Sequence, residues 1–113
     1  MIKQGQIYWL DFGAPQSSKQ AGLRPALVVQ TDLLNEVPGY ELVLVSPIST
    51  KGRPSPSHVR LEPTAENSLR EISFVKCEQI YTVEVSELQR LAGTLSRQEL
   101  YAVKEALRVV LSL

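Results

Sequence analysis

Five short apolar stretches, each rich in β-branched or aromatic residues and separated by turn-forming residues, run from Ile7 to Val83. Runs of this length are too short for packed helices, and each needs a neighbouring strand for its backbone, so the pattern restricts the chain to a small, mainly β architecture. The first is Ile7-Tyr-Trp-Leu-Asp-Phe12, closed by Gly13-Ala-Pro15. The second, Ala26-Leu-Val-Val-Gln30, opens after Pro25, a residue tolerated at the start of a strand. Leu42-Val-Leu-Val-Ser-Pro-Ile48 is a continuous apolar run, which predicts burial on both faces. His58-Val-Arg-Leu-Glu62 alternates and predicts a half-exposed strand. Ile72 to Val83 reads as two strand pieces meeting near Glu78-Gln79, and Leu91 to Leu95, with Gly93 inside it, is a shorter sixth candidate.

The last segment changes period. Ser96-Arg-Gln-Glu99 has capping-box spacing, in which the serine caps a free N–H and the glutamate reaches back. Leu100, Val103, Leu107, Val110 and Leu111 then recur at helical spacing, with Glu99, Lys104, Glu105 and Arg108 opposite them. One amphipathic C-terminal helix laid on a small β-barrel or twisted sheet is expected.

At 113 residues the chain has room for one domain, taken as 1–113. Folding would bury about two-thirds of its surface, enough for a core without disulfides or a structural metal. Hydrophobic residues make up 43% and charged residues 21%, too apolar a balance for disorder. Twelve basic and twelve acidic residues cancel, so nucleic-acid binding through global charge is disfavoured. A single Cys (Cys77) and a single His (His58) leave neither a disulfide framework nor a zinc ligand set. No apolar run approaches a membrane span, and the N-terminus lacks a signal-peptide pattern, so a soluble cytoplasmic protein away from membranes is expected.

Charge is uneven along the chain. No acidic residue lies between Phe12 and Thr31, where Lys19 and Arg24 fall. None lies between Leu42 and Leu61, where Lys51, Arg53, His58 and Arg60 fall. These segments hold two polar loops, Ala14 to Leu23 and Ser49 to Ser57. They form either a local footprint for phosphate or two solvated loops of chance composition.

Walker, dinucleotide, zinc, EF-hand and nucleophile-elbow motifs are all missing from the sequence. What remains is chemistry by Arg, Lys, hydroxyls and carboxylates without metal or cofactor. RNA cleavage needs little more, since the ribose 2′-hydroxyl is a built-in nucleophile. A base must take its proton, an acid must protonate the leaving 5′-oxygen, and a cation must stabilise the phosphorane. Arg24, just after a Gly-containing loop, suits the last role because its fork matches phosphate oxygens.

Gly5-Gln-Ile-Tyr-Trp-Leu-Asp-Phe12 and Gln20-Ala-Gly-Leu-Arg-Pro-Ala-Leu-Val-Val-Gln30 resemble the MazF/PemK family of bacterial toxins. The likeness runs in order through Asp32 and Asn35, Pro47-Ile-Ser49, Cys77-Glu-Gln-Ile-Tyr-Thr-Val83 and Gly93-Thr-Leu-Ser96. It implies a small SH3-like β-barrel (MazF/PemK/CcdB-like) with a C-terminal amphipathic helix, working as a homodimer. It also implies the toxin of a type II toxin–antitoxin system. Such a toxin is a metal-independent, sequence-specific endoribonuclease that cuts single-stranded mRNA to 2′,3′-cyclic phosphate and 5′-hydroxyl ends. A cognate antitoxin protein holds it inactive.

On that resemblance the catalytic set falls on Arg24, Ser49 and Glu78. Arg24 takes the scissile phosphate as acid or electrostatic stabiliser. Ser49 stands where the family usually has Thr, with Thr50 next door as a substitute, and Glu78 is the carboxylate of the C-[DE]-Q block. Lys19, Gln20, Thr50, Lys51, Arg53, Lys76 and Gln79 are the expected substrate-binding residues, with Lys76 and Glu78 on one strand face as cation and base. Each has a plainer alternative: Ser49 as a turn cap, Glu78 as a surface partner of Lys76, Trp9 as core. Lys19 replaces the acidic residue of the family's S-E-Q loop, after Ser18 where some relatives have His, which predicts altered specificity or weaker activity. His58 reads as a half-exposed strand residue, or as a titrating helper. The competing functions are a gyrase-poison-like binder and a decayed toxin. A cleft holding Arg24, Ser49 and Glu78 within reach of one phosphate distinguishes the enzyme from both.

Overall fold

The computed structural model describes residues 1–16 and 19–113, so Ser18 lies outside the described residues. Its strands are β1 (Gln6–Asp11), β2 (Leu23–Val28), β3 (Leu42–Ser49), β4 (His58–Leu61), β5 (Ser73–Lys76), β6 (Tyr81–Glu84) and β7 (Leu91–Thr94). Helix α1 is the short turn Asp32–Asn35, and α2 is Arg97–Leu111. The strands form one antiparallel sheet in the order β4-β5-β3-β2-β1-β7, with β6 also on β3. The sheet curls into a half-barrel, and the long helix closes against it beside β4.

β3 organises the sheet because it changes partner along its length. One edge pairs with β2 (Ala26 opposite Pro47). The other pairs first with β6 (Val43 opposite Val83) and then with β5 (Ser49 opposite Phe74). Pro47, which has no N–H to give to a ladder, lies between those two partners. The chain between β5 and β6 therefore breaks at residues 77–80, which is the interruption the sequence places near Glu78-Gln79.

Side-chain alternation sends β1 and β2 residues to two cores. Ile7 and Leu27 join Ile48, Val75, Val103 and Ala106 under α2. Leu10, Ala26 and Val28 join Val43 and Val45 on the other face. The first half of β3 departs from the expected two-sided burial: Leu42 and Leu44 remain 43% and 36% exposed, because only one face is covered there. Trp9, expected in the core, is half-buried. Leu111, on the expected apolar stripe, is exposed because α2 overruns the sheet at its end.

Three polar arrangements fix the frame. The Ser96 hydroxyl accepts from Glu99 N at 3.1 Å, and Glu99 Oε1 accepts from Ser96 N at 2.7 Å, so α2 begins with the expected capping box. Gln30 donates to Asn35 Oδ1 and Leu42 O, while Asp32 Oδ1 accepts from Gln4 N and Asn35 Nδ2. The motif residues after β2 thus pin the crossover to β3; they build architecture. Asn67, fully buried, accepts from Thr64 N and Leu69 N and donates to Glu62 O and Glu99 Oε2. It ties the β4–β5 loop to the start of α2. Gly93 serves the same junction, since a Cβ there would lie 2.5 Å from the Asn67 carbonyl oxygen.

Candidate active site

Arg24 is the second residue of β2, not the residue before it, because pairing begins at Leu23 opposite Asp11. Its Nε donates to Ala21 O at 3.1 Å. One edge of the guanidinium is therefore fixed by the preceding loop, while the side chain stays exposed. Extending the β2–β3 register from Ala26–Pro47 by two residues brings Arg24 opposite Ser49. Both line an open cleft of about 670 Å³, together with Thr50, Arg70, Arg90 and Trp9.

The charge of this cleft opposes the neutrality of the chain. Arg24, Arg70 and Arg90 line it against one carboxylate, Glu71. Trp9 forms part of its wall, with the Arg90 guanidinium carbon 5.9 Å from the ring centroid. Three cations and an aromatic face are a combination suited to a nucleic-acid backbone and a base. Arg70 and Arg90 have no counterpart among the expected site residues, and Trp9, read as core in preference to a base-stacking platform, lines the cleft. The two arginines lie in the acid-rich second half of the sequence, and no spacing signals that the sheet returns them to Arg24.

Ser49 is buried, and its Oγ accepts from Lys51 N at 3.1 Å, the geometry of a turn cap. It lines the cleft nonetheless, and Thr50 beside it is exposed. Glu78, Lys76 and Gln79 do not line that cleft; they belong to a second cluster beyond β5. Glu78 Oε2 lies 3.0 Å from His58 Nε2. Lys76 is half-buried on β5, opposite His58. Gln79 Oε1 accepts from Gln20 N at 3.1 Å and from Tyr81 Oη at 3.2 Å, which ties the Lys19 loop to β6. Lys19 itself is exposed, and its N–H donates to Gln16 O.

The segment 50–57 connects the two clusters. Thr50 lines the cleft, and Gly52 lies on Phe74 so closely that a Cβ would come within 2.6 Å of the ring. The Arg53 backbone meets His58 Nδ1. The Lys51 and Arg53 side chains are exposed on this bridge. The structure thus brings Arg24, Ser49 and Thr50 together but holds Glu78 and Lys76 at the far end of the same loop, so the expected single cleft around Arg24, Ser49 and Glu78 is not formed and the site is divided in two.

Burial pushes Glu78 upward, but the His58 hydrogen bond, its own backbone N–H, the His58 charge and the Ser57 hydroxyl outweigh it. The carboxyl is held below its ordinary value and is ionised at neutral pH. Cys77, next to it, is buried and its thiol is pushed up to about 12, first by burial and then by the Glu78 charge. A thiol so protonated is not a nucleophile.

The chain is thus a half-barrel whose cleft is lined by three arginines and Trp9. The sequence model described as "PemK-like, MazF-like toxin of type II toxin-antitoxin system" matches residues 3–111, and the chain belongs to that family. It is 29% identical over 113 residues to the endoribonuclease MazF of Staphylococcus epidermidis, covering all of this chain and 93% of that protein. It is 28% identical to the endoribonuclease EndoA of Bacillus subtilis (strain 168), covering all of this chain and 97% of that protein. In fold it is similar to a mycobacterial endoribonuclease solved with its cognate antitoxin, with a TM-score of 0.83 and 23% identity over 100% of this chain and 97% of that one. The Mycobacterium tuberculosis toxin MazF-mt6 gives a TM-score of 0.78 at 26% identity, over 96% of this chain and 97% of that one.

Proposed function

We propose that this protein is an endoribonuclease toxin that cuts single-stranded RNA at the Arg24 cleft. One observation carries the reading: Arg24, anchored through Nε, shares a cleft with Ser49, Thr50, Arg70 and Arg90 in a chain without net charge. The anchored guanidinium offers its remaining N–H groups to a phosphate and meets the charge that develops on the phosphorane. Ser49 and Thr50 supply hydroxyl donors beside it. Glu78 accepts the 2′-hydroxyl proton once the loop 50–57 and the RNA bridge the two clusters. Lys76 balances the charge.

The relatives named as endoribonucleases support the activity, and the antitoxin-bound neighbour supports an antitoxin partner. We further propose that the chain 1–113 is one toxin domain that acts in the cytoplasm as a homodimer. Leu23 and Leu91, 54% and 48% exposed at the cleft, are apolar surface available to a second copy or to the antitoxin. Among the described residues no helix is long and apolar enough to cross a membrane.

The test is cleavage of a defined single-stranded RNA by the purified protein in excess EDTA, with the new ends identified. Cleavage persists, and the products carry a 2′,3′-cyclic phosphate and a 5′-hydroxyl, because the nucleophile is the RNA 2′-hydroxyl and the base that takes its proton is a protein carboxylate. Abolition by EDTA and restoration by a divalent ion would mean a metal mechanism. Binding of another protein with no RNA cleaved would favour the gyrase-poison type of action.

A second expectation concerns Lys19. Single-strand binding weakens with salt at a slope of about −0.7 per neutralised phosphate. Lys19→Glu is expected to flatten that slope and shift the preferred cleavage sequence, with the chemical step mostly intact. Binding of an uncleavable RNA analogue at several salt concentrations, with cleavage-site mapping, reads both. The same slope and sites in both proteins would mean that this loop does not touch RNA.

A further inference from the structure

His58 and Glu78 are twenty residues apart in sequence and meet at the junction of β4 and β5. His58 Nε2 lies 3.0 Å from Glu78 Oε2. The other ring nitrogen faces both polar groups of one residue. Nδ1 is 3.2 Å from Arg53 O, and Arg53 N–H reaches Nδ1 at 3.4 Å.

These contacts allow a proton on Nε2 in both forms of the ring. In the imidazolium, Nδ1–H donates to the Arg53 carbonyl and Nε2–H donates to Glu78. In the neutral ring, Nδ1 accepts from Arg53 N–H, and the remaining proton is again on Nε2, facing the carboxylate. Either form leaves Nε2–H facing the Glu78 carboxylate. Accessibility is divided to match. The His58 side chain is 14% exposed and that of Glu78 is 40% exposed, so the donor is covered while the carboxylate reaches solvent.

We propose that His58 is a positioning residue for Glu78, holding Oε2 so that Oε1 stays turned outward as the acceptor for the RNA 2′-hydroxyl proton. The inference rests on the reading of Glu78 as the base. In the step it serves, the 2′-hydroxyl proton passes to Oε1 as the O2′–P bond forms. The P–O5′ bond breaks, and the 5′-oxygen takes a proton from water; Glu78 later returns its proton to solvent.

Other charges face the pair. Lys76 stands across the ladder from His58, and Arg60, with Glu62, follows on β4. Lys51 and the Arg53 side chain lie on the loop above. These are mostly cations and would assist an ionised carboxylate, but none of them has a hydrogen bond to it among the described residues. Of the groups that hold Glu78, the His58 ring contributes most, ahead of the backbone N–H of Glu78 and the Ser57 hydroxyl. When it is removed, burial is opposed only by the Glu78 backbone N–H and the Ser57 hydroxyl, and the carboxyl rises toward its ordinary value.

The experiment compares His58→Leu, His58→Gln, Glu78→Gln and the His58→Leu/Glu78→Gln double variant by single-turnover cleavage across pH, with thermal unfolding as a check on the fold. His58→Leu should lower kcat about tenfold with KM little changed, the loss expected for one hydrogen bond to a charged working group. Its acid limb should move to higher pH. His58→Gln, whose amide can donate to Glu78, should recover most of kcat. The double variant should be no slower than Glu78→Gln alone. An unchanged rate and pH profile in His58→Leu, with Glu78→Gln slow, overturns the inference and leaves the base in place. Additive losses in the double variant also overturn it. A Glu78→Gln protein as fast as wild type overturns the reading of Glu78 as base and this inference with it. If His58→Leu does not fold, His58→Asn and His58→Gln decide: a slow Asn variant beside a fast Gln variant supports positioning, and equal rates overturn it.

Discussion

Arg24→Ala is expected to slow RNA cleavage by about 10²–10³-fold, the usual consequence of removing one preorganised donor from a developing oxyanion. The side chain is suited to that role because its orientation is set before substrate arrives. Nε is held by the Ala21 carbonyl, and β2 places the residue opposite the Ser49 end of β3. No other cation duplicates it: Arg70 and Arg90 share the cleft but come from the β4–β5 loop and the edge of β7. Lysine cannot stand in fully, since a point charge lacks the fork that takes two phosphate oxygens, so Arg24→Lys should recover only part of the rate. The residue is exposed, and its loss should leave the melting temperature nearly unchanged. Single-turnover rates measured beside thermal unfolding separate the effects. A wild-type rate in Arg24→Ala would remove the site from this cleft.

The second large effect falls on the fold. Asn67→Ala is expected to destabilise the protein by about 2–4 kcal/mol, because it removes a fully buried side chain and its four hydrogen bonds to partly buried groups, worth about 0.5–1.5 kcal/mol each. Thr64 N and Leu69 N lose their acceptor, and Glu62 O and Glu99 Oε2 lose their donor. The chain cannot easily relax to cover them. Asn67 is fully buried, and Gly93 approaches its backbone so closely that no Cβ fits between. A loss of this size is a large share of the stability of an ordinary small domain. Chemical denaturation should show the midpoint falling with the slope unchanged. A change below about 1 kcal/mol would show that water satisfies these groups and that the junction is not the frame of the cleft.

The strand order of this half-barrel is not written in the sequence, but its elements are. Six of the seven strands begin or end within about two residues of an apolar run, because half-buried strands require that pattern. The β2 strand runs further back, to Leu23, because its pairing with β1 includes Arg24 and Pro25. The capping box at Ser96 also appears where its spacing places it, since that motif is purely local. What the pattern misses is set by distant partners. The exposure of Leu42 and Leu44 depends on what covers the sheet there. The role of Asn67 depends on four groups spread from Glu62 to Glu99.

The site divides in the same way. Arg24, Ser49 and Thr50 can be placed from the sequence because they fall in blocks that resemble the toxin family, and the cleft contains all three. Glu78 and Lys76 fall in such a block too, yet β5 carries them past the cleft to the His58 cluster. Arg70 and Arg90 have no local signature; only the curl of the sheet brings them to Arg24. His58 reads as an ordinary strand residue because its partners, Arg53 and Glu78, are a loop and a strand end away.

The central claim is that the scissile phosphate sits at Arg24. The most direct measurement is the structure of this protein with a single-stranded RNA made uncleavable by a 2′-deoxy nucleotide at the cut. The phosphate after that nucleotide should lie at hydrogen-bond distance, about 2.7–3.2 Å, from the Arg24 guanidinium and beside the Ser49 and Thr50 hydroxyls. The backbone should run along Arg70 and Arg90, with the sugar turned toward Glu78. RNA bound elsewhere, with the cleft empty and Arg24 still tied only to Ala21, would contradict the account.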